Sequence, residues 1–155
     1  MKLIQCPDSN QTFFPSRTYV FVGGGISNCP DWQREMIARF KDMPDDFVLM
    51  NPRRADFDID DSLASEFQIE WEHHHLDNAD GVIFWFPFHT LCPITLYELG
   101  VYAASGTPIF VGCHPGYARA YDVRKQLSLI RPEVVVHDNF EPLVEQVKSW
   151  YASRS

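Results

Sequence analysis

Short apolar runs recur along this chain, each followed by a stretch with helical spacing. Thr18-Tyr-Val-Phe-Val22 opens the series and reads as a buried strand. Segments 47–50, 81–86, 108–111 and 133–136 repeat the pattern. Helices are expected at 31–40 after Pro30, at 62–78 with Asp61 as N-cap, at 93–105 ended by Gly106, at 122–130 and at 141–151. Residues 1–17, interrupted by Pro7 and Pro15, read as irregular or as an edge hairpin. Five strands alternating with helices predict an α/β fold with a doubly wound, mainly parallel sheet flanked by helices. No linker divides the 155 residues, so one domain is expected. Ligands of such sheets sit beyond the carboxyl ends of the strands. Three loops converge there: 23–29, 51–60 and 87–92.

Composition narrows the partners. The 45% hydrophobic and 14% aromatic content fills a core of this size. A formal charge of −8, with no basic cluster larger than Arg53-Arg54, argues against nucleic acid as a partner but leaves nucleosides and nucleotides open. No apolar run reaches membrane-spanning length, and the first residues lack the apolar core of a secretion signal. Cys6, Cys29, Cys92 and Cys113 are scattered without metal-site spacing, which fits free thiols in a reducing cytoplasm.

Charge distribution singles out one residue. Between Gly81 and Ala118 the only formally charged side chain is Glu98, on the otherwise apolar 93–105 helix. A carboxylate in low-dielectric surroundings is costly unless paired or used. Glu98 is therefore either a catalytic acid or an acid on the exposed side of its helix. Glu72 is the second candidate, because it shares a helical side with Ile69 and Leu76. Two carboxylates at a small cavity suit displacement at an anomeric carbon, one as nucleophile and one as proton donor. The Gly23-Gly24-Gly25-Ile26-Ser27-Asn28 segment reads as a tight turn that lets backbone approach a ligand, but it departs from the dinucleotide-binding pattern at Asn28. His73-His74-His75 points in different directions on a helix, so no metal site is expected and a solvated helix end is. Phe88 and Trp71 are candidates for stacking on a base; Trp85 and Phe86 read as core.

The segments Phe21–Ser27, Leu76–Asp80 and Tyr97-Glu98-Leu99-Gly100 together resemble the nucleoside 2-deoxyribosyltransferase family over roughly residues 18–130. The resemblance implies a flavodoxin- or Rossmann-like layout and base exchange on 2-deoxyribose without metal or cofactor. It makes Glu98 the nucleophile and Glu72, eight residues before Asp80, the acid, replacing the family's usual Asp. Asp80 becomes a structural tie at the strand start. The implied substrate-binding set is Phe21, Gly23, Gly24, Gly25, Ile26, Ser27, Asn51, Phe88, Cys92 and Asp122, the last reaching a neighbouring subunit's site in a homo-oligomer. Two departures stand out. Cys92 replaces a base-contacting Asp, and Phe21 replaces a tyrosine that orients the nucleophile, leaving Tyr97 or Tyr102 to do so. The expected partners are deoxynucleosides and free nucleobases. A related hydrolase acting on deoxynucleoside 5′-monophosphates, with Ser27, Arg53 and Arg54 at the phosphate, is the nearest alternative; a non-catalytic nucleotide-binding module is the second.

Overall fold

The computed structural model describes residues 1–9, 11–54 and 62–154. Its six strands are β1 (Lys2–Gln5), β2 (Thr18–Gly24), β3 (Phe47–Asn51), β4 (Gly81–Phe86), β5 (Ile109–Cys113) and β6 (Val136–His137). They form one sheet in the order β1-β3-β2-β4-β5-β6, parallel at every pairing. The helices are α1 (Trp32–Ala38), α2 (Ser62–Asp77), α3 (Pro93–Ser105), α4 (Ala120–Ile130) and α5 (Phe140–Ala152).

Alternation along the strands builds a core on each face. Tyr19, Phe21, Val82, Phe84 and Phe86 pack with Trp71 and Leu76 of α2, Leu99 and Ala103 of α3, and Val123 and Leu127 of α4. Val20, Val22, Ile83 and Trp85 point the other way, onto Trp32 and Met36 of α1 and Leu143, Val144 and Val147 of α5. Burial on both faces explains why these strands read as continuous apolar runs.

Among the described residues the sheet has six strands, not five. Residues 2–5, expected to be irregular or a hairpin, pair in parallel with β3. Only Ile4 of that strand is buried, so the local pattern carries too little signal. The last strand is shorter and later than 133–136. Pro30 lies outside α1; Asp31 is the cap, its Oδ1 accepting the Arg34 N–H at 3.0 Å. The expected Asp61 cap lies outside the described residues. At α3 the reading holds, with Pro93 in the first turn and Gly106 at the C-cap.

The glycine segment is not the tight turn expected. Gly23 and Gly24 end β2, and the positive φ falls on Asn28. The glycines are needed for space. A Cβ on Gly24 would lie 2.2 Å from the Trp32 ring and 2.5 Å from the Trp85 carbonyl oxygen. One on Gly25 would meet the Thr90 side chain at 2.7 Å and the Cys92 sulfur at 2.8 Å.

Asp80 ties β4 to β2, as the family resemblance implied. Its Oδ2 accepts the Tyr19 N–H at 2.8 Å, and its own N–H donates to the Tyr19 carbonyl at 2.8 Å. Arg154 donates to Oδ1 at 2.7 Å.

Gly24→Ala overpacks the β2–α1 contact and is expected to cost about 1–3 kcal/mol in chemical denaturation. Asp80→Ala removes a carboxylate bonded to backbone and is expected to cost about 1.5–3 kcal/mol by the same measurement, with Asp80→Asn milder.

Candidate active site

Without β1 the strand order is β3-β2-β4-β5-β6, and the chain reverses its winding direction between β2 and β4. A crevice opens at such a switch point, past the carboxyl ends of the strands. Here it is a cavity of about 730 Å³. Its floor is the end of β2 and the following loop, from Phe21 and Gly23 to Ser27. Thr90 and Cys92 close the β4 side.

Two helices form the walls. Ser65, Gln68, Ile69, Glu72 and Leu76 share one face of α2, at successive helical turns. Ile94, Tyr97, Glu98, Val101 and Tyr102 share one face of α3. Glu72 and Glu98, twenty-six residues apart in the chain, thus face one space.

Both carboxyls hold protons above the ordinary carboxylate range. Burial pushes Glu98 up to about 8, and the charge of Glu72 adds to it. Burial also raises Glu72, opposed by a hydrogen bond from Gln68 Nε2 to Glu72 Oε1 at 2.7 Å. At neutral pH Glu98 therefore keeps its proton, with the charge of Glu72 helping to hold it there. The Gln68 bond biases the charge toward Glu72 and the resting proton toward Glu98.

Of the residues expected at a substrate site, Phe21, Gly23, Gly24, Gly25, Ile26, Ser27 and Cys92 line this cavity with Glu72 and Glu98. Asn51, Phe88 and Asp122 are not among its lining residues. Asn51 is buried at the end of β3, its Oδ1 accepting the Arg53 N–H at 3.1 Å. Phe88 stacks outside on His89, with ring centroids 3.8 Å apart, and near His114. Asp122 lies on α4 beside Arg119 at 3.5 Å.

Cys92 occupies the N-cap of α3 with left-handed backbone. Burial pushes its thiol up to about 12, with Cys29 adding to the shift, so a neutral S–H stands there. Phe21 supplies ring surface only. The Tyr102 hydroxyl bonds to Asp77 and is close enough to Glu98 to feel its charge; burial first, then these acids, push it up to about 12. Tyr97 is largely exposed at the cavity edge.

The histidine tract divides. His73 is exposed, 3.3 Å from Asp77. His75 is buried, contrary to a wholly solvated helix end. It stacks on Trp71 at 3.7 Å, one helical turn back, and its Nδ1 lies 2.7 Å from the Trp71 carbonyl oxygen. Burial lowers its proton affinity, opposed by the bond to the Trp71 carbonyl. Trp71 is core, donating from Nε1 to the Asp8 carbonyl at 2.8 Å. Among the described residues no cluster of metal-ligating side chains occurs.

Sequence reasoning passed over Gln68, Asp77 and Thr90. For Gln68 a signal was present: it precedes Glu72 by one helical turn, where side chains meet. Thr90 had none, since its position depends on how the β4 loop folds against Gly25.

Residues 17–117 match the family model described as "Nucleoside 2-deoxyribosyltransferase like". The fold is similar to that in a crystal structure of a conserved protein from Enterococcus faecalis, with a TM-score of 0.61 and 16% sequence identity, covering 86% of this chain and 98% of that one. That likeness speaks for the fold alone. No curated protein matches the chain. The family match runs from β2 through β5 and takes in both carboxylate-bearing helices. The chain belongs to the nucleoside 2-deoxyribosyltransferase-like family.

Proposed function

We propose that this protein exchanges the base of 2′-deoxynucleosides by double displacement, with Glu98 as nucleophile and Glu72 as acid. One observation carries the reading: two carboxyls, each raised by burial, face a single cavity at the switch point of the sheet.

In the resting pair the proton favours Glu98, so attack needs it moved to Glu72. A bound base supplies the bias, since an acceptor atom on the base hydrogen-bonds the protonated form of Glu72 and favours it. Glu98 Oε then bonds to C1′ as the C1′–N bond breaks. The released electron pair takes the Glu72 proton. A covalent deoxyribosyl-Glu98 ester and a free base result. A second base, deprotonated by Glu72, attacks C1′ and frees Glu98. Absence of a 2′-hydroxyl eases the oxocarbenium-like transition state, which favours deoxy substrates. With neutral Cys92 where a carboxylate is usual, the base edge meets a weak hydrogen-bonding group, which relaxes selection among bases.

The reading extends to association of copies. Asp122, away from its own chain's cavity, is available to a neighbour's. Ile94, Tyr97 and Val101 leave an exposed apolar stripe on α3 at the cavity edge.

A second reading keeps the fold and makes water the acceptor with a deoxynucleoside 5′-monophosphate as substrate. Ser27, Arg54 and His73 on the cavity lining favour it. Arg53 does not contribute, because its guanidinium donates to the carbonyls of Cys29 and Pro30 and to Gln33 Oε1. Product analysis of a deoxynucleoside, and separately its 5′-monophosphate, with a different free base separates the readings. Exchanged nucleoside supports the transferase. Free sugar phosphate with no exchange supports the hydrolase.

Glu98→Ala is expected to lower turnover about 10⁴-fold or more, and Glu72→Gln about 10²–10⁴-fold, in chromatographic assays of base exchange. Retained turnover in Glu98→Ala would remove the covalent mechanism. The pH profile of kcat follows from that proton. Activity needs one proton in the pair, so it is expected to fall on the alkaline side near pH 8, where the pair loses that proton. A rate still rising through pH 9 contradicts this.

A further inference from the structure

Gln68 is a buried amide with both N–H donors committed and its oxygen accepting one bond. It sits on α2 one turn before Glu72. Its Nε2 donates to the Pro52 carbonyl at 2.8 Å and to Glu72 Oε1 at 2.7 Å. Its Oε1 accepts from the Cys6 thiol at 3.2 Å. Pro52 follows β3 and Cys6 follows β1, so the amide braces α2 against the carboxyl ends of two strands.

The Pro52 carbonyl decides which way the amide faces. A carbonyl oxygen only accepts, so the nitrogen must be on that side. The same nitrogen then presents its second N–H to Glu72. Reversing the amide would set oxygen against the Pro52 oxygen and the thiol donor against an NH₂ group. The orientation is thus fixed by the Pro52 carbonyl and the Cys6 thiol, independent of Glu72's protonation.

This has a chemical consequence for the carboxyl. In a carboxylic acid one oxygen is the carbonyl acceptor and the other carries hydrogen. Glu72 Oε1 already receives an N–H, so hydrogen on Oε1 would forfeit an acceptor site facing a fixed donor. We propose that Gln68 is a positioning residue for the acid: it keeps Glu72 Oε1 as acceptor and leaves the transferable proton on Oε2. The proposal rests on the two-carboxylate reading above and adds to it the atom that delivers the proton. As the C1′–N bond breaks, the proton leaves Oε2 for the base nitrogen, and the charge left on Glu72 is met at Oε1 by the waiting Gln68 N–H. The donor is oriented before reaction, so no reorganisation is needed when the charge appears.

The test is Gln68→Met, which keeps length and apolar bulk and removes both donors. Hydrogen bonds to a charged group are strong, so kcat is expected to fall about tenfold with KM within about twofold. Losing a donor that favours the carboxylate raises the proton affinity of Glu72. The alkaline limb of the kcat profile is therefore expected to move to higher pH, and the Glu72 side-chain carboxyl carbon, followed by NMR, to titrate at higher pH. Cys6→Ala removes the third bond of the brace without touching the donors and is expected to leave that limb in place. Should Gln68→Met not fold, Gln68→Asn keeps an amide too short to span Pro52 and Glu72, and the same shifts are expected. An unmoved carboxyl titration, or an unmoved limb with loss spread over kcat and KM, overturns the proposal and leaves Gln68 a structural brace. Activity surviving Glu98→Ala would instead defeat the base-exchange reading, while the carboxyl titration would still decide whether Gln68 governs Glu72.

Discussion

Two carboxyl groups facing one cavity, out of bulk water, set the terms for the rest of this molecule. Burial in the low-dielectric walls of the cavity raises the cost of ionising each, and the charge of Glu72 adds to that cost at Glu98. Glu98 settles by keeping its proton at neutral pH. Such an arrangement is unfavourable in isolation, and it persists because the surrounding elements are rigid enough to impose it. Glu72 lies on α2 and Glu98 on α3, and both helices are held to the sheet by Trp71, Leu76, Leu99 and Ala103 in one continuous core.

The glycines at the end of β2 and just after it make that arrangement possible. Gly24 lets Trp32 and Trp85 close behind the strand, and Gly25 lets Thr90 and Cys92 approach in front. The need here is for absent side-chain volume, not for unusual backbone angles. Positive φ occurs nearby at Asn28 and Cys92 instead, where the chain turns into α1 and α3.

Polar ties complete the scaffold at both ends of the sheet. Asp80 joins β4 to β2 and to the carboxyl-terminal Arg154. Gln68 joins α2 to the segments after β1 and β3. The first is remote from the cavity and acts on stability. The second touches a site carboxylate, so bracing and chemistry converge on one side chain.

Much of the layout was legible in the chain itself. Strands β2, β3, β4 and β5 are long apolar runs because both faces are covered, and such runs announce themselves. Glu98 stood out because one acid in an apolar helix is a local anomaly. Its pairing with Glu72 rested on resemblance to a family, and the β1 strand, with one buried residue, had no periodicity to find. Tertiary structure alone decided what depends on neighbours distant in sequence. It left Phe88 and Asn51 out of the cavity lining, turned His75 inward, and made the glycines spacers, not turn formers. It also set the Gln68 amide between Pro52, Cys6 and Glu72. Local spacing tells which face of a helix a side chain occupies; only the packed sheet determines what that face meets.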